Sequence, residues 1–230
     1  MLKRMTPSTA RRLVAEARAS RLSDPSVRYP PWYLHRWHFL PEGYLSRRSA
    51  AGYESVIRTL YNQARERRLL RALAAHVASF RPASVVDLGC GPGRAIEALA
   101  DALPRVDLTG IDLSPFLLER AERRTARFAG RVTLSHGSAL QPRFEGEGFD
   151  AAIAIHFIGH LPEAAAGRAA ETALSLLRPG GRLYVIDHAW HPRPLQRVPL
   201  IEERRFNAGL VRFSVYERAS AGTTTGILAT

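Results

Sequence analysis

A run of apolar residues leads into three alternating glycines, and this feature most limits what the chain can fold into. The segment reads Val85-Val-Asp-Leu-Gly-Cys-Gly-Pro-Gly93, and a helical pattern begins at about Arg94. Glycine tolerates positive φ and lets a ligand approach the backbone closely. The N-terminus of the following helix offers backbone amides to a polar or anionic group. The segment therefore predicts a strand, a ligand-binding turn and a helix, in that order.

An acidic residue follows this loop at the end of the next predicted strand. Asp112 comes 19 residues after Gly93, at the end of the next apolar run. In α/β folds that bind nucleosides, an acid at this place accepts hydrogen bonds from the ribose hydroxyls. The dinucleotide pattern G-x-G-x-x-G would need glycine at position 94, where this chain has Arg94. It has Asp87 two residues before the first glycine instead, and a carboxylate there suits a ligand with an ammonium group better than a pyrophosphate.

Short apolar runs alternate with helical patterns after Pro82, which is typical of a parallel sheet covered by helices. The predicted strands are Ser84–Asp87, Asp107–Ile111, Val132–His136, Ala151–Ile155 and Arg182–Asp187. The predicted helices between them are Ala95–Ala102, Pro115–Phe128 and Ala164–Leu177. Two further strands, Leu200–Phe206 and Leu210–Glu217, flank a short turn with glycine and are predicted to form a hairpin.

The pattern Asp87-x-Gly89-x-Gly91-x-Gly93, together with Asp112, resembles the class I S-adenosylmethionine-dependent methyltransferases. Two later segments are similar to blocks of that family: FDAAIAIHFIGHLP at 149–162 and LRPGGRLYVID at 177–187. The resemblance covers about residues 82–218. It departs at one place, because the family often has an acid after the third strand where this chain has Gly137-Ser138-Ala139. The hydroxyl of Ser138 can still accept a hydrogen bond.

The resemblance implies an α/β fold with a seven-stranded, mostly parallel Rossmann-like sheet in the order 3-2-1-4-5-7-6, its last strand antiparallel. It implies S-adenosyl-L-methionine as the cofactor and an enzyme that methylates an O, N or C atom of a small, apolar or aromatic metabolite. The implied cofactor-binding residues are Asp87, Gly89, Cys90, Gly91, Gly93, Asp112, Leu113, Ser138 and Ala139. Three prolines between positions 187 and 200 predict that the usual helix before strand six is reduced or lost.

Histidines follow the predicted strands four and five, where a base for methyl transfer would lie. They are His156, His160, His188 and His191. His156 is the candidate catalytic base, with a packed or pocket-lining histidine as the alternative. His160 matches a histidine that more often positions groups in the family, and the two later histidines fit a surface loop equally well. Together with Asp187 they match no recognised metal motif, so no metal is expected.

Residues 1–81 differ in composition from the rest of the 230-residue chain. They carry 16 basic and 5 acidic side chains, which leaves +11 of the net charge of +12, and they hold eight aromatic residues between positions 29 and 61. We therefore predict a basic, helical and aromatic cap over 1–81, a methyltransferase domain over 82–218 and a flexible tail over 219–230. Within the cap, a helix is predicted from Thr6-Pro7 to Asp24-Pro25, and a second helical stretch from about Ser49 to Arg81.

Two roles remain open for the aromatic segment at 29–44. It can form a lid over a ring-bearing acceptor, or Trp32, Trp37 and Phe39 can simply attach the N-terminal helices to the sheet domain. The basic charge also leaves an alternative function, an RNA or other nucleic-acid methyltransferase whose cap holds phosphates. Against it, the fourth-strand block lacks the Asn/Asp-Pro-Pro-Tyr/Phe segment that presents a flipped base. A third alternative is a non-catalytic nucleoside binder.

The composition bears on the cellular compartment and on the partners of the protein. The single cysteine, Cys90, excludes an intramolecular disulfide and fits a reducing cytoplasm. No apolar run reaches the roughly 18 residues of a membrane span, and no secretory signal is visible. We therefore expect a cytoplasmic protein with a small-molecule acceptor, no stable nucleic-acid partner and at most a weak electrostatic contact with membranes. The oligomeric state is not predicted.

Overall fold

The computed structural model describes residues 5–36, 40, 42–61, 63–144, 148–196 and 198–220. Its helices are α1 (Pro7–Arg18), α2 (Arg47–Tyr61), α3 (Gln63–Phe80), α4 (Arg94–Ala102), α5 (Pro115–Thr125) and α6 (Glu163–Ser175). Its strands are β1 (Ser84–Leu88), β2 (Asp107–Asp112), β3 (Val132–His136), β4 (Phe149–Ile155), β5 (Leu177–His188), β6 (Leu200–Phe206) and β7 (Val211–Glu217). Trp37, Phe39 and most of the predicted tail lie outside the described residues.

The seven strands form one sheet in the order β3-β2-β1-β4-β5-β7-β6. Strands β1 to β5 pair in parallel, and β7 runs antiparallel to both β5 and β6. This confirms the predicted sheet order, the antiparallel last strand and the β6–β7 hairpin. The carboxyl ends of β1, β2, β3 and β4 meet at one edge, which is where parallel α/β sheets bind their ligands.

Both faces of the sheet are covered, because neighbouring residues of a strand point to opposite sides. Val85 packs in one apolar cluster with Leu73 of α3 and Ile96 of α4. Val86 packs in the other cluster with Ala169 of α6. Burial on both faces explains why Ala151–Ile155 of β4 is a continuous apolar run rather than an alternating one.

Several elements differ in extent from the predictions. Strands β4 and β5 begin earlier, at Phe149 and Leu177, because these two residues pair and a register shift follows Phe149. Helix α1 ends at Arg18 rather than near Asp24, where the Ala19 amide donates to the carbonyl of Ala15. The second helical stretch is two helices, α2 and α3, instead of one.

The cap packs directly on the sheet domain. Leu13 and Ala17 of α1 share an apolar cluster with Phe116 and Leu117 of α5. At the edge of this cluster, the Arg47 guanidinium donates to both carboxylate oxygens of Glu119, at 2.6 and 3.0 Å. The cap and the sheet domain are therefore joined by buried apolar surface and by a bidentate ion pair.

The described residues between β5 and β6 contain no helix, as the prolines predict. Of the helices in the described ranges, none has both the length and the apolarity needed to cross a membrane.

Candidate functional site

A cavity lies at the carboxyl edge of the sheet, between the sheet domain and the cap. Its floor is formed by Gly89, Gly91, Asp112, Leu113, Ser138 and Ala139, and a side wall by His156, Phe157, His160 and Leu161. Its roof is formed by Trp32, Tyr33, Tyr44 and Tyr53 of the cap. Six of the nine predicted cofactor-binding residues and the candidate base thus line one cavity.

The glycines of the loop have positive φ, which glycine adopts without strain. Gly89 has φ 71°, and a Cβ there would lie 2.5 Å from the Phe157 ring. Gly91 has φ 52°, and a Cβ there would meet nothing within 4 Å. The open space beside Gly91 is the cradle in which a ligand can approach the backbone.

The amides of this loop are largely used by the protein itself. Gly89 N and Cys90 N donate to the carbonyl of Ile111, and Gly93 N donates to the carbonyl of Cys90. Gly91 N donates to the Asp112 carboxylate at 2.9 Å. The loop therefore offers fewer amides to an anion than its sequence suggests, which argues against a pyrophosphate ligand.

Asp112 is held rigidly at the end of β2. One carboxylate oxygen accepts from Gly91 N and the other from Ser114 N at 2.7 Å. Burial raises the pKa of Asp112 to about 6, although these two amides oppose the shift. Both oxygens keep lone pairs for further donors, so the residue can accept hydroxyl groups of a ligand in the cavity.

Three predicted cofactor-binding residues are not among the described residues of the cavity wall. Asp87 is 3% exposed, and burial together with the Asp112 charge raises its pKa to about 8. The Cys90 side chain belongs to the apolar core instead of the cavity, and burial raises its pKa well above the usual range. Gly93 is the N-cap residue of α4, and a Cβ there would lie 2.9 Å from Ala121. The missing side chain lets α4 and α5 pack closely at this point.

Ser138 and Ala139, two of the predicted cofactor-binding residues, follow β3. Both residues line the cavity. The Ser138 hydroxyl accepts from Leu140 N at 3.2 Å. A hydroxyl oxygen has two lone pairs, so one remains for a ligand.

His156 directly follows β4 and has an unusual backbone conformation, with φ 47°. Non-glycine residues with positive φ occur often at functional sites. Burial is the main reason why the pKa of His156 falls to about 3, and the neighbouring histidines lower it further. The imidazole is therefore neutral near pH 7. The neutral ring can form a hydrogen bond with a molecule bound in the cavity, but it is a weak general base.

The other histidines separate into two groups. His160 lines the cavity beside His156. His188 and His191 are not among the described lining residues, and the His188 ring stacks on Trp190 with centroids 4.2 Å apart. In the described part of the chain, no three His, Cys, Asp or Glu side chains are grouped so as to hold a metal ion.

Sequence reasoning missed two residues that shape this site. Tyr33 is buried in the roof, and only its place in the aromatic segment hinted at it. His136, the last residue of β3, accepts from Asp24 N at 2.9 Å and so fastens the cap beside the cavity. No local pattern marks His136, because its partner lies 112 positions away.

Comparisons with known proteins agree with this geometry. A family model described as "Methyltransferase domain" matches residues 85–181. O-methyltransferase resE of Aspergillus sclerotiorum is 30% identical over 137 residues, which are 56% of this chain and 51% of that protein. The chain spans about half the length of the curated relatives it matches first.

Two solved structures share the fold. An O-methyltransferase family protein from Burkholderia thailandensis has a TM-score of 0.63 at 18% identity, over 76% of this chain and 60% of that one. The 1,6-didemethyltoxoflavin-N1-methyltransferase of the same species was solved with bound 1,6-didemethyltoxoflavin and S-adenosylhomocysteine. It has a TM-score of 0.59 at 21% identity, over 76% of this chain and 87% of that one. At these identities the likeness shows the fold alone.

Proposed function

Because residues 85–181 form a methyltransferase domain of the class I, S-adenosylmethionine-dependent family, we propose that the protein methylates an uncharged, ring-bearing small molecule. When bound, the donor supplies an electrophilic methyl group on a sulfonium. The protein's main task is then to hold the acceptor atom in line with that methyl group and to exclude water.

Two buried carboxylates support the proposal that the protein binds S-adenosylmethionine as the methyl donor. Asp87 and Asp112 lie near the carboxyl ends of adjacent strands, and burial raises the pKa of both. A ligand with an ammonium and a sulfonium group favours the ionised form of both carboxylates. Asp112 faces the cavity beside the open cradle at Gly91, where it can accept the ribose hydroxyls. The residues present thus fit S-adenosylmethionine.

The proposal of an uncharged methyl acceptor depends on one observation. The described lining of the cavity contains no lysine or arginine. A carboxylate or phosphate brought there would lose its hydration without gaining a counter-charge. The walls are instead tyrosine, tryptophan, histidine and leucine, which suit a neutral aromatic ring. The name of the relative from Aspergillus sclerotiorum supports an oxygen atom as the methylated atom.

We assign His156 the role of hydrogen-bonding and orienting the acceptor. With a pKa of about 3, its imidazole is neutral from pH 5 to 8 and changes no charge in that range. A phenol or enol acceptor loses its proton more readily than an alcohol, so such an acceptor demands less of a weak base.

The test is methyl transfer from labelled S-adenosylmethionine to a panel of neutral phenols and heteroaromatic compounds, with citrate as the anionic comparison. We expect transfer to members of the neutral panel and none to citrate. His156→Ala should lower turnover by about 10- to 100-fold with nearly unchanged donor affinity. His191→Ala, which removes a neighbouring histidine outside the described lining, should be close to wild type.

Two outcomes contradict the proposal. Efficient methylation of citrate would show that the cavity accepts anions, and normal turnover in His156→Ala would remove the assigned role of that residue. The nucleic-acid alternative finds no support in the lining, because phosphates would need the cationic groups that the described wall lacks.

A further inference from the structure

Asp187, near the end of β5, is a buried carboxylate to which the proposed function gives no part. The residue is 4% exposed, and burial raises its pKa because the ionised form is unfavourable there. One carboxylate oxygen accepts a hydrogen bond from Gly159 N, and the other accepts from His188 N at 2.9 Å. The first of these contacts reaches 28 positions back along the chain, to the segment that follows β4.

The contact between Asp187 and Gly159 requires glycine on one side as well as the carboxylate on the other. Gly159 lies in the one-turn helix Ile158–His160. A Cβ there would lie 2.6 and 2.7 Å from the two Asp187 oxygens and 2.5 Å from the His191 ring. Gly159 does not have positive φ, so the closeness of its neighbours, and not its backbone conformation, excludes a side chain.

The segment held by this contact begins with a strained residue of the cavity wall. His156 has φ 47°, and a non-glycine residue keeps such a conformation only where surrounding contacts impose it. His156 N donates to the carbonyl of Ile186 at 2.7 Å, and three positions later Gly159 N donates to Asp187. Two consecutive residues of β5 thus hold the segment at two points. The first contact uses a backbone carbonyl, whereas the second depends on the Asp187 side chain.

We propose that Asp187 is a positioning residue: by accepting a hydrogen bond from Gly159 N, it holds the turn 156–160 in place and so keeps the His156 ring oriented towards the methyl acceptor. This inference rests on the proposed function, which assigns His156 the task of orienting the acceptor. Asp187 itself touches neither donor nor acceptor in this role.

The test is a double-mutant cycle between Asp187→Asn and His156→Ala. Asparagine has one oxygen in place of two, so it can accept from only one of the two amides. Turnover of the best neutral acceptor should fall about 5- to 20-fold, with nearly unchanged affinity for S-adenosylhomocysteine. In the His156→Ala background, Asp187→Asn should lower turnover by less than about 2-fold, because a residue that acts through His156 then has nothing left to position.

Asp150→Asn is the matched control, since it changes a buried carboxylate at the opposite end of the sheet. Asp150 is 1% exposed and accepts from Ala83 N at 2.6 Å and from Ser84 N at 3.0 Å. Its substitution should lower the free energy of unfolding but leave the turnover of the folded enzyme close to wild type. A general loss of stability is thereby separated from a loss of positioning.

Gly159→Ala perturbs the same contact from the other side. The added methyl group displaces the Asp187 carboxylate, so turnover should fall and the fall should again disappear in the His156→Ala background. This variant carries the test if Asp187→Asn does not fold.

A second measurement needs no acceptor. Exchange of the Gly159 amide hydrogen should be about 10-fold or more faster in Asp187→Asn than in wild type, and the NMR signals of the His156 ring should shift. Asp150→Asn should change neither.

An unchanged Gly159 amide and unchanged His156 signals in Asp187→Asn would overturn the proposal. A full further loss of turnover in the His156→Ala background would overturn it as well. Normal turnover in His156→Ala alone would instead contradict the role of His156 in the proposed function, and the exchange measurement would then decide by itself whether Asp187 holds the turn.

Discussion

At the scale of single residues, two buried carboxylates lie near the carboxyl ends of the adjacent strands β1 and β2. Asp87 and Asp112 are 3% and 9% exposed, with pKa values of about 8 and about 6. Holding a carboxyl group where its ionised form is unfavourable costs stability. The arrangement is useful only when a positively charged ligand arrives, as in the proposed function.

The pH dependence of this cost can be tested with Asp87→Asn. The pKa of Asp87 is near 3.8 in the unfolded chain and about 8 in the fold. The stabilisation from the folded-state proton is complete below about pH 4 and is lost as the pH rises towards 8. Without ligand, Asp87→Asn should therefore match wild type near pH 4 and become progressively more stable towards pH 8. Denaturant unfolding at several pH values measures this.

Asp107→Asn is the control for that series, because Asp107 is exposed at the start of β2. It should show no such trend. Asp87→Asn should also bind S-adenosylhomocysteine more weakly. A stability difference that stays constant between pH 4 and 8 would show that Asp87 is not held protonated.

At the scale of elements, the cap is fastened to the end of β3 by one histidine. Nδ1 of His136 accepts from Asp24 N, so the ring proton is on Nε2. Nε2 lies 3.1 Å from both the Leu113 carbonyl and the Tyr29 hydroxyl. A second proton on Nδ1 would face the Asp24 amide and break that contact. Burial accordingly lowers the pKa of His136 below 6.5.

Acid should therefore loosen this attachment. The folded-state pKa is depressed, so the stabilisation is present above about pH 6.5 and is lost as the pH falls through that value towards the folded-state pKa. Hydrogen exchange at Asp24–Val27, corrected for intrinsic rates, should accelerate between pH 7.5 and 5.5. His136→Phe should exchange rapidly at both pH values, and His191→Ala should behave as wild type. Equal protection at both pH values in wild type would rule out this attachment.

At the scale of the whole molecule, several charged side chains of the cap form ion pairs within the protein. Arg12 pairs with Glu42 within the cap, and Arg21 pairs with Glu122 of α5. Glu54 of α2 binds arginines of the sheet domain, Arg94 at 2.9 Å and Arg124 at 2.5 Å. Several arginines and acids of the cap are thus committed to partners within the chain.

We expect weak and non-specific binding to nucleic acid for this reason. Gel shift with RNA should show no tight complex at about 0.15 M salt. Arg67→Ala and Arg71→Ala change two exposed arginines of α3 and should affect any residual binding only slightly. A tight complex that weakens steeply with salt, together with labelled methyl transfer to RNA, would favour the nucleic-acid alternative.

The sequence by itself determined the strands of the sheet and the strand-end acid of the site, and its resemblance to the methyltransferase family implied the strand order. Apolar runs, helical periodicity and the glycine loop at 89–93 are local patterns, and each depends on residues close together in the chain. Asp112 could be placed because the end of a strand is a fixed position relative to that loop.

Only the tertiary structure decided what each side chain faces. It turned Cys90 into the core, used the loop amides internally, buried His156 until its pKa fell to about 3, and brought Tyr33 and Asp112 to the wall of one cavity. These outcomes depend on burial and on contacts between residues tens of positions apart, which leave no local signal. Desolvation, which sets the charge state of a side chain, is a property of the packed molecule and not of a segment.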